Sequence, residues 1–332
     1  MKKRILSWLL VLAMVVSFIP STLVASVFAA DTPEGGSALP GVTLPGSYAG
    51  EYNVSTTKND ISIAAGGVYS LFGSQTDISI KVETTDAVTL VINLLNLTNE
   101  VSPLQLCDGA NVTLVVRDGT TNTLICTATE LNATNSGKTA GILVPETATL
   151  IIDRSSAEKG TGTLNATGGF GSAGIGESGI VGQYSDVAHQ QPTGLPGHYA
   201  RDTWAANIAG GAGGFDGLDG KTAGTITINA GVINATGGQG GAGIGGGMGA
   251  QGGDGNQGNY GVSHQVSSGH AGFGSGSGGG GAGGNGGKGG AGGTVTINGG
   301  TITAKATQYT YTWVDKVNST AQSVDRTAAG IG

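Results

Sequence analysis

Charged and aromatic residues are both scarce in this 332-residue chain, at 11% for Asp, Glu, Lys and Arg together and 5% for Phe, Trp and Tyr. The 15 Lys and Arg are outnumbered by 22 Asp and Glu, which gives a formal net charge of −7. Binding to nucleic acid through its phosphates requires a concentrated basic surface, and so few scattered cations cannot build one. The composition therefore argues against nucleic acid as a partner.

Long apolar runs are missing after residue 30, and so is any apolar period of 3.6 residues. The one long run, Ile5–Phe18, follows basic residues at positions 2–4 and precedes small residues in Val27–Ala30. This pattern is typical of a secretory signal peptide. We therefore expect residues 1–30 to be removed on export, leaving a secreted or bacterial cell-surface protein with no membrane span in its mature part.

Cysteine is limited to Cys107 and Cys126. An even number in an exported protein suits a disulfide. Alignment of the repeats described below, however, places Cys126 at the position of Ala166, pointing inward, whereas Cys107 follows Leu106 on another strand and points outward. Because disulfides tolerate only a narrow range of Cβ separations, we favour two free thiols, with the paired alternative still open.

Glycine, by contrast, is abundant at 65 of the 332 positions. Some of it belongs to a repeat, since Gly162–Gly169, Gly231–Gly238 and Gly300–Ala306 are versions of one segment that begin at equal intervals along the chain. A repeat of this kind cannot bury its apolar face alone and must stack on its neighbours. The sequence therefore predicts a solenoid.

The apolar runs indicate which solenoid this is. They are short and β-branched, as in Val88–Ile92, Val112–Val116 and Thr149–Ile152. The interval from the start of the first run to the start of the second suits a coil of about three strands, each paired with its equivalent one coil later at about 4.8 Å. We predict an all-β fold, a right-handed parallel β-helix with long Gly-rich loop insertions.

The domain organisation follows from this pattern. Residues 31–55 contain several prolines and glycines and are predicted to form a linker, and residues 56–332 form the β-helix. The last Ala-Gly-Ile-Gly copy, Ala329–Gly332, ends in the middle of a coil. Because a solenoid without a cap exposes its core, we expect the sequence to be truncated at the C-terminus.

Alternation assigns side chains to the inside and the outside of the coil. Threonine alternates with apolar residues in Thr225–Asn229 and Thr294–Asn298, so the inward residues are expected to be Ile226, Ile228, Val295 and Ile297. The outward Thr-x-Thr columns would also suit an ice-binding hydroxyl array, although threonine is simply a good strand residue.

Asparagines at equivalent positions are expected to stack along the axis. Asn229 lies one repeat before Asn298, and Asn165 lies one repeat before Asn234. Amide side chains in such columns can hydrogen-bond to each other and satisfy backbone groups at turns.

The candidate binding residues lie in three long insertions, Glu177–Thr222, Gly246–Ala291 and a third near Gln308–Asp325. Loops of this length are usually functional or flexible, and we expect the second insertion, which is the richest in glycine, to be flexible. Aromatic faces stack on the apolar faces of sugar rings. The glycan-binding candidates are therefore five aromatic residues from the first and third insertions, Tyr199, Trp204, Tyr309, Tyr311 and Trp313. The alternative is that these aromatics pack their own loops onto the solenoid.

Few residues of the sequence are candidates for metal binding or catalysis. Asp216 and Asp219 could offer two carboxylates to calcium, which is the only cofactor that the sequence suggests. Glycoside hydrolysis or elimination from uronic acids would need clusters of carboxylates with an acid or base. No such cluster is evident, and we therefore expect a protein that is not an enzyme.

Parts of the chain resemble known families. The segments Gly67–Gly73, Val88–Asn93 and Asp118–Leu124 resemble the clostridial carbohydrate-binding domain family, which has a pectate-lyase-like parallel β-helix. The Ala-Thr-Gly-Gly, Ala-Gly-Ile-Gly and Thr-Ile-Thr-Ile-Asn repeats are similar to those of surface proteins from gut Firmicutes. The resemblance implies a non-catalytic surface module that binds acidic or cellulosic polysaccharide, with calcium bound along the coils.

Three functions remain as hypotheses. The first is an extracellular carbohydrate-binding or adhesin module whose partner is a polysaccharide or a host or cell-wall glycan. The second is a structural spacer within a large surface protein. The third is a polysaccharide lyase of the pectate-lyase-like fold.

Overall fold

The computed structural model describes residues 41–181, 217–250, 287–315, 320–326 and 328–332. All of them belong to one unit, Leu39–Gly332. The described residues are almost entirely β-structure, with no α-helix among them and one short 3-10 turn at Val54–Thr56. The predicted all-β class with parallel strand pairing is confirmed.

The strands of the described residues follow the apolar runs of the sequence. They are β1 Gly50–Asn53, β2 Ile61–Ile63, β3 Gly67–Thr76, β4 Ile80–Val82, β5 Ala87–Asn99, β6 Leu104–Leu106, β7 Asn111–Val116, β8 Thr121–Cys126, β9 Ile142–Leu143, β10 Thr149–Asp153, β11 Thr163–Thr167, β12 Ile175–Gly176, β13 Thr225–Ile228, β14 Val232–Gln239, β15 Ile244–Gly245, β16 Thr294–Ile297, β17 Thr301–Thr307, β18 Tyr309–Asp315 and β19 Thr320–Arg326.

These strands form three sheets. The largest has the order β16-β13-β10-β7-β5-β8-β11-β14-β17, with β3 paired to β5 and β1 paired to β3. A second sheet has the order β15-β12-β9-β6-β4-β2, and β18 pairs with β19 in a separate two-stranded sheet. The two larger sheets are parallel throughout, whereas the β18–β19 pair is antiparallel.

The pairing register reproduces the spacings of the sequence. Val88 pairs with Val112, as the interval between their two apolar runs predicts. In β11 and β14, Asn165 pairs with Asn234, and in β13 and β16, Ile226 pairs with Val295. Both pairs join matching positions of the long repeat. Equivalent positions of successive repeats therefore lie side by side.

The long strand β5 makes the large sheet curl. Its first half pairs with β7 through Ala87–Ile92, and its second half pairs with β8 through Asn96–Asn99. The strand bends between the halves at Leu94, which has φ 55° and an exposed side chain. The Leu95 N–H that the bend frees from the ladder donates to Oδ1 of the buried Asn122 at 2.9 Å.

The core consists of inward residues from both parallel sheets. Ile226 and Ile228 are fully buried, as expected from the alternation, and Ile233 is fully buried as well. Each such side chain contributes about 1.5–3 kcal/mol by leaving water. Ile297 was expected to point into the core but is 45% exposed. Among the described residues β16 is an end strand of its sheet, so no further strand covers Ile297.

The Ala-Gly-Ile copies form one column of the smaller sheet. Ile142 pairs with Ile175, Ile175 with Ile244, and Ile244 forms an isolated bridge with Ile331. A Cβ on Gly174 would lie 2.6 Å from the Thr236 nitrogen and 2.8 Å from the Gly243 oxygen. Glycine is needed at this position because two neighbouring backbones approach it closely.

The ends of the two Gly-rich insertions are ordered by backbone hydrogen bonds. Gly287 N–H donates to the Ala250 oxygen, Ala250 N–H to the Leu218 oxygen and Gly220 N–H to the Lys288 oxygen. The expectation of a flexible second insertion is therefore wrong for 246–250 and 287–291, while 251–286 lie outside the described residues. Close backbone packing, which only glycine permits, explains the difference.

The predicted linker also differs from the structure at its end. Residues 50–53 form β1, which pairs with β3 from Gly50↔Tyr69 to Asn53↔Phe72. The rings of Tyr52 and Tyr69 stack with a centroid distance of 6.4 Å. The strand was missed because its apolar content is low, and this stack and its ladder hydrogen bonds stabilise it instead.

Candidate functional site

The third insertion forms an antiparallel hairpin, β18–β19, that starts directly after β17. Its register runs from Tyr309↔Arg326 to Asp315↔Thr320. The predicted glycan-binding residues Tyr309, Tyr311 and Trp313 occupy alternate positions of β18. The hairpin thus brings three of the five aromatic candidates onto a single strand outside the two parallel sheets.

The base of this hairpin is held by packing. The rings of Tyr309 and Phe170 meet edge to face, with centroids 4.9 Å apart and planes at 80°. Such pairs contribute about 0.5–1.5 kcal/mol beyond the area that they bury. Thr310 Oγ1 donates to Oδ1 of Asp325 across the hairpin at 2.7 Å. Tyr309 therefore anchors the hairpin to the end of β11, which leaves Tyr311 and Trp313 as the further aromatic positions.

The structure describes only some of the other predicted site residues. Tyr199, Trp204 and Asp216 lie outside the described residues. Oδ1 of Asp219 accepts the Lys288 N–H at 2.7 Å, so one of the oxygens offered to calcium already bonds to the backbone of the next repeat. Within the described ranges, no three His, Cys, Asp or Glu side chains come together as a metal-binding group. Asp219 thus acts as a link between repeats.

A polar surface runs across six neighbouring strands of the large sheet. Two adjacent outward columns of Ser, Thr and Asn side chains define it, and we call it the threonine–asparagine face. Its first column is Ser74, Asn96, Thr123, Asn165, Asn234 and Thr303, and its second is Thr76, Thr98, Ile125, Thr167, Thr236 and Lys305. No member is buried. Lys305 is its one charged residue and Ile125 its one apolar residue.

Most threonine hydroxyls of this face have no partner among the described residues. Those of Thr98, Thr123, Thr167, Thr236 and Thr303 make no hydrogen bond to another described residue. Internal bonds within the face are limited to amide contacts, Asn96 Nδ2 to Ser74 Oγ at 3.3 Å and Asn234 Nδ2 to Asn165 Oδ1 at 2.9 Å.

Some other threonines of the described residues form internal hydrogen bonds. The Thr120 hydroxyl donates to the Arg117 oxygen at 2.7 Å, and that of Thr307 donates to the Gly237 oxygen at 2.7 Å. The difference distinguishes the face from threonines that stabilise turns.

The face was missed by sequence reasoning, which found only the Asn165–Asn234 pair. Strands β3, β5 and β8 do not share the long repeat, so nothing in the sequence aligns Ser74 or Asn96 with the later columns. The register also shifts between Phe72 and Gly73, opposite the bend of β5. The signal that could have revealed the face is the alternation of inward and outward residues in Leu95-Asn-Leu-Thr98 and Thr121-Asn-Thr123.

An open groove of about 570 Å³ lies beside the hairpin. Its walls are almost entirely glycine and alanine, and Asp325 is its one polar side chain. Because Asp325 already accepts a hydrogen bond from Thr310, the groove offers mainly backbone groups.

A buried polar cluster fixes the start of the first insertion. Glu177 is 3% exposed, and its N–H donates to the Gly245 oxygen at 2.9 Å. Ser178 Oγ accepts the N–H groups of Thr139 and Ala140 at 2.8 and 2.9 Å. The Thr139 hydroxyl lies 2.6 Å from Ser172 Oγ. The cluster joins three segments of backbone and anchors the insertion.

Burial has an electrostatic consequence for Glu177. It raises the pKa of the carboxyl to about 7. The Ser178 N–H, 2.9 Å from Oε2, and the Lys221 ammonium oppose the rise, whereas Asp108 and Glu146 add to it. Glu177 therefore changes charge near neutral pH.

Both thiols are free. Cys126 is buried, as predicted, and Cys107 is half-buried against the core. The predicted alignment of Cys126 with Ala166 is wrong, because Ala166 pairs with Leu124. The shift arises because the polar Asn122 occupies an inward position, opposite Leu164, and hides the alternation of β8.

No helix within the described ranges is both long enough and apolar enough to cross a membrane. Comparison with protein-family models, with curated proteins and with solved structures found no match to this chain.

Proposed function

We propose that this protein is a non-catalytic carbohydrate-binding or adhesin module of the bacterial cell surface, exported by its signal peptide. Its scaffold is a right-handed parallel β-helix, similar to that of the clostridial carbohydrate-binding family. The in-register pairing of Val88 with Val112, and of Asn165 with Asn234, supports this scaffold. So do the two parallel sheets that share one core.

The observation that carries the binding role is the aromatic series on β18. Tyr309, Tyr311 and Trp313 alternate along one strand, which spaces them by about 6.8 Å. Sugars are bound by aromatic side chains that present a large apolar area at low entropic cost. Since Tyr309 packs on Phe170, the base of the hairpin is fixed, and Tyr311 and Trp313 are the residues that contact the glycan.

A glycan array with the secreted protein tests this function. Trp313→Ala and Tyr311→Ala are expected to weaken binding at least tenfold. Val314→Ala is the matched control, because it truncates an intervening position of the same strand, and it should bind like the parent.

The structural spacer is the competing outcome of the same experiment. A parent protein that binds no glycan on the array would contradict the proposal and favour the spacer. Equal losses for Val314→Ala and Trp313→Ala would also contradict it, because they would reflect the stability of the hairpin and not the aromatic contacts.

A further inference from the structure

We infer that Asn298 is a site of spontaneous deamidation, a modification that converts its side-chain amide to a carboxylate. Asn298 directly follows β16 and precedes Gly299. An asparagine followed by glycine is prone to this reaction, because glycine has no Cβ to shield its backbone nitrogen. The modification is independent of the proposed glycan-binding function.

The reaction needs only water and runs in two steps. In the first, the backbone nitrogen of Gly299 attacks Cγ of Asn298, and the new N–Cγ bond closes a cyclic imide. The Cγ–Nδ2 bond breaks, and the side-chain nitrogen leaves as ammonia with the proton of the Gly299 N–H. In the second, water opens the imide at either carbonyl and leaves aspartate or isoaspartate.

The turn after β16 requires the glycine that makes Asn298 reactive. A Cβ on Gly299 would lie 2.6 Å from the Asn229 backbone oxygen, and Gly300 has φ 92°. The Asn298 side chain is exposed, so water reaches it. The Gly299 N–H makes only a long hydrogen bond of 3.3 Å to the Ile228 oxygen, which also accepts the Asn298 N–H at 2.8 Å. The attacking nitrogen is thus weakly held.

Asn298 is the only asparagine among the described residues that precedes a glycine. The other asparagines of the two stacked pairs, Asn165, Asn229 and Asn234, all precede alanine. Asn285 precedes a glycine but lies outside the described residues. Within the described fold, deamidation is therefore expected to be fastest at Asn298.

The hydrogen bonds that lead to Asn298 have a fixed direction. A carboxylate can only accept, and Oδ2 of Asp153 accepts from Asn229 Nδ2 at 2.9 Å. Asn229 must therefore turn its amide oxygen the other way, where Oδ1 accepts from Asn298 Nδ2 at 2.9 Å. Asn298 is the last donor of this column, and deamidation removes that donor.

Deamidation thus sets a carboxylate oxygen of residue 298 against the amide oxygen of Asn229, with no proton between them. Turning the Asn229 amide would supply the missing N–H group but would place its oxygen against Asp153. In either orientation one hydrogen bond is lost and two acceptors face each other. The modification should therefore loosen the turn that joins β16 to β17.

The pair Asn165 and Asn234 lacks this restriction. Asn234 Nδ2 donates to Asn165 Oδ1 at 2.9 Å, but Asn165 Nδ2 makes no hydrogen bond to another described residue. Asn165 can therefore turn its amide and donate to a carboxylate at position 234. Asn234→Asp is thus the matched control for Asn298→Asp.

Peptide mapping tests the reaction. The secreted protein is incubated at mildly alkaline pH and cut with trypsin after Lys288 and Lys305, which isolates Asn298 as the only asparagine of 289–305. We expect the mass change from amide to acid, as aspartate and isoaspartate, to appear at least tenfold faster at Asn298 than at Asn229. Equal rates would overturn the inference. So would an Asn298 that keeps its amide while the free synthetic peptide 289–305 deamidates.

Melting temperatures of variants test the structural consequence. Asn298→Asp should lower the melting temperature more than Asn298→Ala does, because alanine removes a donor without adding an opposing acceptor. Asn234→Asp should cause a smaller loss than Asn298→Asp. Equal losses for the two aspartate variants would show that Asp153 does not fix the direction of the column.

A second substitution at position 153 makes this test specific. In Asp153→Asn, the amide oxygen can still accept the Arg154 N–H, which Oδ1 of Asp153 accepts at 2.7 Å. The new amide nitrogen can donate to a turned Asn229, and the whole column reverses. The loss caused by Asn298→Asp should therefore be smaller in the Asp153→Asn background than in the parent. An unchanged or larger loss would refute the proposed effect of deamidation on the column.

Discussion

The side-chain amide of Asn298 donates a hydrogen bond of 2.9 Å to Oδ1 of Asn229, which lies one repeat earlier in the chain. Asn229 in turn donates to Oδ2 of Asp153 at 2.9 Å. The predicted asparagine column is thus confirmed, and a carboxylate extends it by one strand. The column ties together the ends of β10, β13 and β16.

Replacing the central member of this column should destabilise the protein. Asn229→Ala removes two hydrogen bonds and leaves the Asp153 carboxylate without its amide partner, at an expected cost of about 1–3 kcal/mol. Asn298→Ala removes one bond at the exposed end and should cost less. Thermal unfolding followed by circular dichroism measures the loss of stability in each variant. A larger loss for Asn298→Ala than for Asn229→Ala would contradict the prediction.

The pH dependence of stability should follow Glu177. Its pKa is raised from 4.5 to about 7 in the folded protein, so the folded state holds a proton that the unfolded state has already lost in that window. Stability therefore falls as pH rises from about 4.5 to about 7, by up to about 3 kcal/mol. Above pH 7 this contribution is constant.

Glu177→Gln tests this assignment. The variant should lose much of the parent's decline in melting temperature between pH 5 and pH 8, because the amide does not ionise. Glu51→Gln, at an exposed position of β1, should keep the decline. An unchanged decline in Glu177→Gln would show that other groups cause it.

Crowding at Gly174 predicts a large effect from one methyl group. Gly174→Ala would place a Cβ 2.6 Å from the Thr236 nitrogen and 2.9 Å from the Ala166 oxygen, and both are backbone atoms that cannot yield without moving strands. We expect a loss of about 2 kcal/mol or more in stability. Gly46→Ala is the control, because its Cβ would meet nothing within 4 Å, and it should change stability by less than about 0.5 kcal/mol. Similar melting temperatures for the two variants would refute the close approach.

The two thiols should react in sequence with a disulfide reagent. Burial raises the pKa of the Cys126 thiol, and Cys126 is only 3% exposed, so it should react only when the protein unfolds. Cys107 is half-buried and should react first. Absorbance of the released thiolate should show one group titrated in the native protein and two in denaturant. Cys107→Ser should abolish the native reaction, and a native reaction that persists in this variant would contradict the burial of Cys126.

Much of the fold was predictable because burial imposes a regular pattern. Val88 and Val112 lie in matching runs, and their spacing predicted the pairing register correctly. The prediction failed where a polar residue takes an inward position. Asn122 is buried to bond the N–H of Leu95 at the bend of β5, a requirement that depends on an earlier strand and leaves no local signal.

The candidate site was predictable only in part. The insertion that carries Tyr309, Tyr311 and Trp313 was visible in the sequence. Its folding as a hairpin was not, because the pairing depends on register with Thr320–Arg326 and no glycine marks a turn between the two strands. The threonine–asparagine face was not visible, because it joins strands whose sequence spacings differ. Asn96 pairs with Thr123 across a short separation in the sequence, whereas the pairing of Asn165 with Asn234 spans a whole insertion.

The hydrogen bond from Gly287 N–H to the Ala250 oxygen joins the two described ends of the second Gly-rich segment. Because these ends are already held together, the entropy of closing the chain between them grows only slowly with its length, by about 0.6 kcal/mol for each doubling. Foreign sequences of very different sizes should therefore be tolerated there. The site makes the protein suitable as a display scaffold, and variation between such proteins should accumulate at this junction before it reaches the strands.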